Sequence, residues 1–193
     1  MNSIWIRIPK TAGVSMEKVF QKLPGKWQPL QDKRFISNIG ASHMKSIRTD
    51  IWDSSFKFTF VRNPFSRSIS SWKFGGWGTR WDCNFKTYVK KVNDINLETP
   101  DRWTQLTWHT CAQYPHIVDT EGNLLVDFIG RFENLQEDFN TVCDKIGMPR
   151  QQLPHTNKTN HKHYTEYYDD ETRQIVAEKY TKDIEYFGYK FGE

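Results

Sequence analysis

Residues 4–20, IWIRIPKTAGVSMEKVF, change period partway along, and that change decides the fold class. Ile4, Ile6 and Ile8 alternate with Trp5 and Arg7, the two-residue repeat of a strand packed on both faces. Pro9 to Val14 interrupts the repeat. Met16, Val19, Phe20 and Leu23 then recur at the spacing of one helix face. Ser15 suits the cap of that helix and Pro24-Gly25 its end. The chain therefore opens strand–loop–helix.

A second unit of the same kind follows. Phe56, Phe58 and Phe60 share one face of a strand, with Lys57, Thr59 and Val61 opposite. Arg62 comes next, then Asn63-Pro64, a good cap followed by the residue favoured at the first helical position. Phe65, Ile69 and Trp72 supply the apolar stripe. A weaker strand is expected at residues 34–39, ending at Gly40. Phe85, Tyr88, Val89 and Val92 have helical spacing, and residues 124–129 form a strand ended by Gly130. Phe139, Val142, Cys143 and Ile146 mark a helix closed by Gly147 and Pro149. The last helix starts near residues 169–171, whose acidic side chains suit a helix N-terminus, and carries Ile175, Val176 and Tyr180. Residues 75–82 read as a loop, 93–123 show no convincing period, and 154–164 are polar.

Strands alternating with helices imply crossover connections and a mostly parallel sheet with helices on both faces. The expected fold is α/β, a three-layer sandwich in one domain, residues 1–193. Ligands in such sheets bind beyond the carboxyl ends of the strands. That places residues 9–15 and 62–70 on one functional edge.

Composition narrows the function classes. Of 193 residues 37% are hydrophobic, enough for a core, so wholesale disorder is excluded. Lys and Arg total 27 against 23 Asp and Glu, a net charge of +4 that suits an anionic ligand without demanding nucleic acid. No dense basic stripe interleaves with aromatics, so no nucleic-acid partner is expected. No apolar run is long enough for a membrane span, and the first residues show no secretory signal. Cys83, Cys111 and Cys143 are odd in number and form no CxxC, which fits a reducing compartment. The expectation is a soluble, cytoplasmic protein, with a lumenal compartment as the alternative were an anchor to precede Met1. Asn157-Lys158-Thr159 matches the glycosylation pattern by chance.

Two stretches carry chemistry. In Pro9-Lys10-Thr11-Ala12-Gly13-Val14-Ser15, small residues let backbone approach a ligand, and the helix start offers N–H groups and partial positive charge. Lys10 adds a full charge, Thr11 and Ser15 hydroxyl donors. The loop is a phosphate cradle without being a Walker A loop, because its Lys precedes the Gly. The bland alternative is a tight turn with a surface Lys. In the second stretch, Arg62 ends a strand and Ser70 lies two turns into the next helix, a guanidinium fork and a hydroxyl suited to another phosphate. Its bland alternative is an Arg paired with a nearby acid and a Ser on a polar face.

Together IPKTAGVS (8–15) and FVRNPFSRSIS (60–70) resemble the sulfotransferases that use 3′-phosphoadenosine-5′-phosphosulfate (PAPS). The resemblance extends to LLVDFIGRFENLQEDF (124–139) and HTNKTNHKHYTEYYDDETRQIVAEKY (155–180) and is similar to carbohydrate sulfotransferases of the Golgi and their bacterial relatives. It is weakest over residues 26–42 and 73–101. It implies a fold like that of P-loop nucleotide-binding proteins and the transfer of a sulfuryl group from PAPS to a hydroxyl, with a carbohydrate as acceptor and no metal. Lys10, Thr11, Ala12, Gly13, Val14 and Ser15 would cradle the 5′-phosphosulfate, and Arg62 and Ser70 would hold the 3′-phosphate. Val14 departs from the Thr or Ser usual in the family. Lys10 would neutralise charge growing on the leaving phosphate. His43, in GASHMKS, aligns with a family region that supplies a catalytic His, and imidazole suits a general base. His109 is the second candidate.

His155, His161 and His163 gather with Lys158 and Lys162 but lack a Cys or carboxylate to complete a metal set. The resemblance suggests a segment that closes on the nucleotide, with Lys158 or His163 touching a phosphate; a solvated polar loop is the alternative. Trp77, Trp81, Trp103 and Trp108 suit either an acceptor cleft or loop anchoring. Two other functions stand beside sulfuryl transfer: a P-loop kinase requiring Mg²⁺ and ATP, and an inactive nucleotide- or glycan-binding module.

Overall fold

The computed structural model describes residues 2–25, 29, 40–74, 83–94, 105–154 and 162–193. The chain divides into two compact units, Met1–Val61 with Gln113–Lys158, and Arg62–Ala112 with Thr159–Glu193.

The first unit is built on a three-stranded parallel sheet in the order β1 (Ser3–Ile6), β2 (Phe56–Val61), β3 (Phe128–Arg131). Ile6 stands beside Thr59, and Val61 beside Arg131. The Thr59 hydroxyl, buried in the sheet, donates to the Ile6 carbonyl at 2.7 Å. Helices α1 (Gly13–Lys22), α2 (Ala41–Ile47) and α6 (Leu135–Ile146) belong to this unit. One face of the sheet is aromatic: Trp5, Phe56, Phe58 and Phe60 pack with Met16, Val19 and Phe20 of α1 and Phe139, Val142, Cys143 and Ile146 of α6. Trp5 and Phe58 lie parallel at 6.2 Å, and Phe139 meets Phe20 edge-on at 5.6 Å. Ile4, Ile6 and Ile8 on the opposite side are buried too, as two-sided packing requires. The parallel α/β fold read from the alternation of elements is thus the one observed.

The second unit is helical. Its core joins Phe65 and Ile69 of α3 (Pro64–Trp72), Phe85, Tyr88, Val89 and Val92 of α4 (Phe85–Asn93), Tyr164, and Val176 and Tyr180 of α7 (Asp170–Lys179). Asn63 caps α3 as its sequence predicts, accepting from the Phe65 N–H at 3.0 Å, with Pro64 in the first turn. Asp169 caps α7 in the same manner through the Thr172 N–H.

The sequence reading needs five corrections. Ser15 does not cap α1: the helix begins at Gly13, and the Ser15 N–H already bonds the Ala12 carbonyl. The strand expected at 124–129 lies at Phe128–Arg131, while Leu124 is exposed and forms an isolated antiparallel bridge with Val118. Gly130 sits inside β3 rather than ending it, because its neighbour's ring needs the space. Residues 93–123, read without period, contain α5 (Gln105–Thr110) and a 3₁₀ turn at Tyr114–His116, both too short to show one. A further helix, α8 (Thr181–Phe187), follows α7. The expected elements at 34–39 and 75–82 lie outside the described residues. Among the described residues no helix is long and apolar enough to cross a membrane.

A Cβ at Gly130 would stand 2.5 Å from the Phe60 ring across the β2–β3 pair. Gly130→Ala is expected to cost about 1–3 kcal/mol in urea denaturation, the usual penalty of overpacking. The same change in a Phe60→Leu background should cost measurably less, and equal costs would show that the ring is not the obstacle.

Candidate functional site

The turn after β1 carries the densest set of special features. Lys10 and Ala12 both have φ of 68°, the two non-glycine residues with positive φ among the described residues. Left-handed backbone disfavours side-chain-bearing residues by roughly 1–2 kcal/mol each, and such strain concentrates at functional sites. Thr11 holds the turn in place. It is buried, and its hydroxyl donates to the Ile8 carbonyl at 2.8 Å. The hydroxyl hydrogen expected for a ligand is therefore used inside the loop.

Left-handed residues in a tight turn are a feature of anion-binding nests, in which successive N–H groups face one side of the chain. Ala12 is the N-cap of α1, with no side chain bonding the helix end. Gly13 and Val14 follow at the first two helical positions, whose N–H groups precede any intrahelical acceptor. Val14 is 42% exposed and Lys10 is half-buried, so the loop is reachable from outside. Ser15 is buried in the first turn.

A second cation, passed over in the sequence, stands at this loop. A Cβ on Gly13 would lie 2.8 Å from Arg7 Nε, so the glycine admits the Arg7 guanidinium against the start of α1. Arg7 donates to Glu17 at 2.9 Å. The Glu17 position, one helical turn after Gly13, was the available signal.

The chain leaves β2 at Val61 on the sheet edge where it leaves β1, since the two strands are parallel neighbours. Arg62 is the next residue, in the second unit. Its guanidinium, 9% exposed by residue, donates from Nε and from Nη2 to Ser66 Oγ, at 3.0 and 2.8 Å. Ser70 lies one turn further along α3, also half-buried. Ser66 was missed by the sequence reading, though its place four residues after Arg62 and four before Ser70 puts it on their stripe.

The rest of α3 is gripped from three sides. Asn63, fully buried, donates to the Lys190 carbonyl at 2.8 Å. Phe65 meets the rings of Tyr168 and Phe191 edge-on, and the Tyr168 hydroxyl donates to its carbonyl. Arg67, buried, donates to the Cys111 carbonyl at 2.7 Å. Burial pushes the Cys111 thiol up, opposed by that guanidinium, and holds the Tyr88 phenol up at about 12.

The remaining candidates stand as follows. His43 is exposed on α2, where its carbonyl accepts from the Ser46 hydroxyl. The Gly40 backbone before α2 packs so closely on His116 that a Cβ would approach it to 3.1 Å. His109 is on α5, its ring 4.7 Å from Phe74 and 4.8 Å from Trp108. His163 is exposed and starts a 3₁₀ turn, its Nδ1 2.7 Å from the Thr165 hydroxyl. Lys158, His155, His161, Trp77, Trp81 and Trp103 lie outside the described residues. Among the described residues no three His, Cys, Asp or Glu side chains gather as a metal-binding group.

The sequence pattern of the sulfotransferase family matches residues 2–190. The chain belongs to the sulfotransferase family. Over the fold, this sulfotransferase is similar to the crystal structure of a sulfotransferase from Alicyclobacillus acidocaldarius, with a TM-score of 0.55 and 13% identity, covering 96% of this chain and 93% of that one. In sequence it is 30% identical over 103 residues to an uncharacterised protein of Archaeoglobus fulgidus, spanning 52% of this chain and 75% of that protein.

Thr11→Val keeps the shape but removes the bond to Ile8. It is expected to lower stability by about 1–3 kcal/mol in urea denaturation, the range for a buried acceptor left unmet, while Thr11→Ser should retain most of it. A loss in Thr11→Ser with none in Thr11→Val would assign the effect to the methyl group.

Proposed function

We propose that residues 1–193 act as one sulfotransferase domain that moves a sulfuryl group from PAPS to a hydroxyl of a carbohydrate acceptor. The observation that carries this reading is the left-handed pair Lys10 and Ala12 at the uncapped start of α1. Backbone strain of that kind, beside a lysine and a helix N-terminus, suits an anion held by main-chain N–H groups. Membership of the sulfotransferase family supplies the reaction type.

In this reading the 5′-phosphosulfate rests on residues 10–15. The Ala12, Gly13 and Val14 backbone supplies donors, so the missing hydroxyl at Val14 costs little. Lys10 faces the bridging oxygen. The acceptor oxygen attacks sulfur, the bond from sulfur to the bridging oxygen breaks, and 3′-phosphoadenosine-5′-phosphate leaves. Lys10 meets the charge that grows on that oxygen, a contribution made chiefly in the transition state. The acceptor proton passes to His43, whose exposed position on α2 leaves its imidazole accessible. The packing of His109 between Phe74 and Trp108 favours an anchoring role for it. Arg62 and Ser70 hold the 3′-phosphate, and Lys158 and His163 add contacts to the nucleotide. In this reading the protein works in a reducing, cytoplasmic setting.

Thermal unfolding with 3′-phosphoadenosine-5′-phosphate, ADP and ATP–Mg²⁺ in parallel tests the nucleotide. At 100 times its dissociation constant a ligand adds about 2.7 kcal/mol, or roughly 5–10 °C for a chain of this size. The bisphosphate alone is expected to give that shift. A shift only with ATP–Mg²⁺ would favour a kinase, and binding without sulfate transfer to any sugar would mark an inactive module. Lys10→Ala should lower turnover by about a hundredfold while changing bisphosphate affinity far less. Equal losses would remove Lys10 from the leaving-group role.

A further inference from the structure

Gly13 is the first residue of α1 and, unlike Gly122, Gly147, Gly188 and Gly192, has no positive φ. Its backbone does not require glycine, and Ala would favour the helix. What stands in the way of a side chain is Arg7. A Cβ on residue 13 would lie 2.8 Å from Arg7 Nε and 3.4 Å from both Cζ and Nη2, so the guanidinium fills the place of that side chain. Cβ atoms of a helix lean toward its N-terminus. The guanidinium is thus set toward the end of α1 where the N–H groups of Gly13 and Val14 precede any intrahelical acceptor. The Cβ and nitrogen of one residue are about 2.5 Å apart, which puts Arg7 Nε within roughly 5 Å of the Gly13 nitrogen.

Two contacts hold Arg7 in this place. Nη1 donates to Glu17 Oε2 at 2.9 Å, and Cζ lies 5.6 Å from the centroid of the buried Trp5 ring. The bond to Glu17 uses Nη1, whereas the edge against Gly13 is that of Nε and Nη2. A cation at this end opposes the helix dipole, and α1 has no acidic residue in its first turn. Glu17 offsets the charge only from one turn further along. The helix by itself gains nothing from a guanidinium so placed; an anion on its first N–H groups does.

We infer that Arg7 is a donor-binding residue for the 5′-phosphosulfate, a second cation beside Lys10, and that residue 13 is glycine to make room for it. The inference rests on the PAPS reading above. Arg7 meets the non-bridging oxygens, and Lys10 the bridging one.

The test measures dissociation constants by calorimetry for 3′-phosphoadenosine-5′-phosphate and adenosine 3′-phosphate in wild type, Arg7→Lys, Arg7→Gln, Gly13→Ala and the double variant of the last two. Arg7→Gln should weaken the bisphosphate about tenfold, the scale of one hydrogen bond to a charged group. Arg7→Lys, which keeps the charge and loses the fork, should weaken it by no more than about threefold. Gly13→Ala should weaken it by about threefold or more while unfolding at an equal or higher temperature, because the guanidinium can swing aside and Ala favours the helix. In the Arg7→Gln background the same change should add less than about twofold, since no guanidinium is left to displace. Adenosine 3′-phosphate lacks the group that Arg7 meets, and its affinity should stay within about twofold throughout. Unchanged bisphosphate affinity in Arg7→Gln would overturn the role of Arg7, as would equal weakening of adenosine 3′-phosphate. A full loss from Gly13→Ala in the Arg7→Gln background would show that the glycine makes room for the ligand and not for Arg7. If wild type does not bind the bisphosphate, the PAPS reading itself fails, and this inference fails with it.

Discussion

β2 has a parallel neighbour on each edge. Parallel strands cannot be joined by a tight hairpin, so the chain must return across the sheet twice before the sheet is complete. The first return carries α1 and α2, and the second carries α3, α4 and α5. Both faces of β2 are then covered: its phenylalanines on one side and Thr59 and Val61 on the other are buried. The same constraint makes β1 and β2 end on one edge of the sheet. The strained loop grows from one of those ends, and Arg62 follows the other by one peptide bond.

The loop and α3 are each held by contacts within the protein. The loop is closed by the Thr11 hydroxyl on the Ile8 carbonyl, and Arg7 lies against Gly13. On α3, Asn63, Phe65 and Arg67 each anchor the helix to a different part of the second unit. Groups ordered in advance lose less freedom when an anion arrives.

The sequence was most legible where period and turn chemistry agree. Asn63-Pro64 and Gly147 mark helix ends that the structure reproduces, and the apolar positions of α1, α4 and α6 are buried as their spacing requires. It was least legible where a contact far away in sequence decides. Gly130 looks like a terminator until the Phe60 ring is placed over it. Ser15 looks like a cap until Ala12 takes the left-handed conformation and starts the helix sooner. The cradle was visible as a string of small residues beside Lys10, but its strain was not, because nothing local requires Lys10 and Ala12 to be left-handed. Arg62 was visible and its holder was not, since a serine on a helix face looks like any other polar position.

The second unit is assembled from two stretches of chain separated by the strand and helix of 113–158. The amide of Asn63 closes on the carbonyl of Lys190, across 127 residues. The first unit needs Phe128–Arg131 and α6 to finish its sheet and core, whereas the second needs nearly the whole chain. During synthesis, which proceeds at about 5–20 residues per second, the two cannot mature together. The sheet and its strained loop can form while α3 still lacks Tyr168, Phe191 and Lys190. The anchoring of α3 by Lys190 and Phe191 is completed only afterwards, so the order of translation sets the order in which the two units mature.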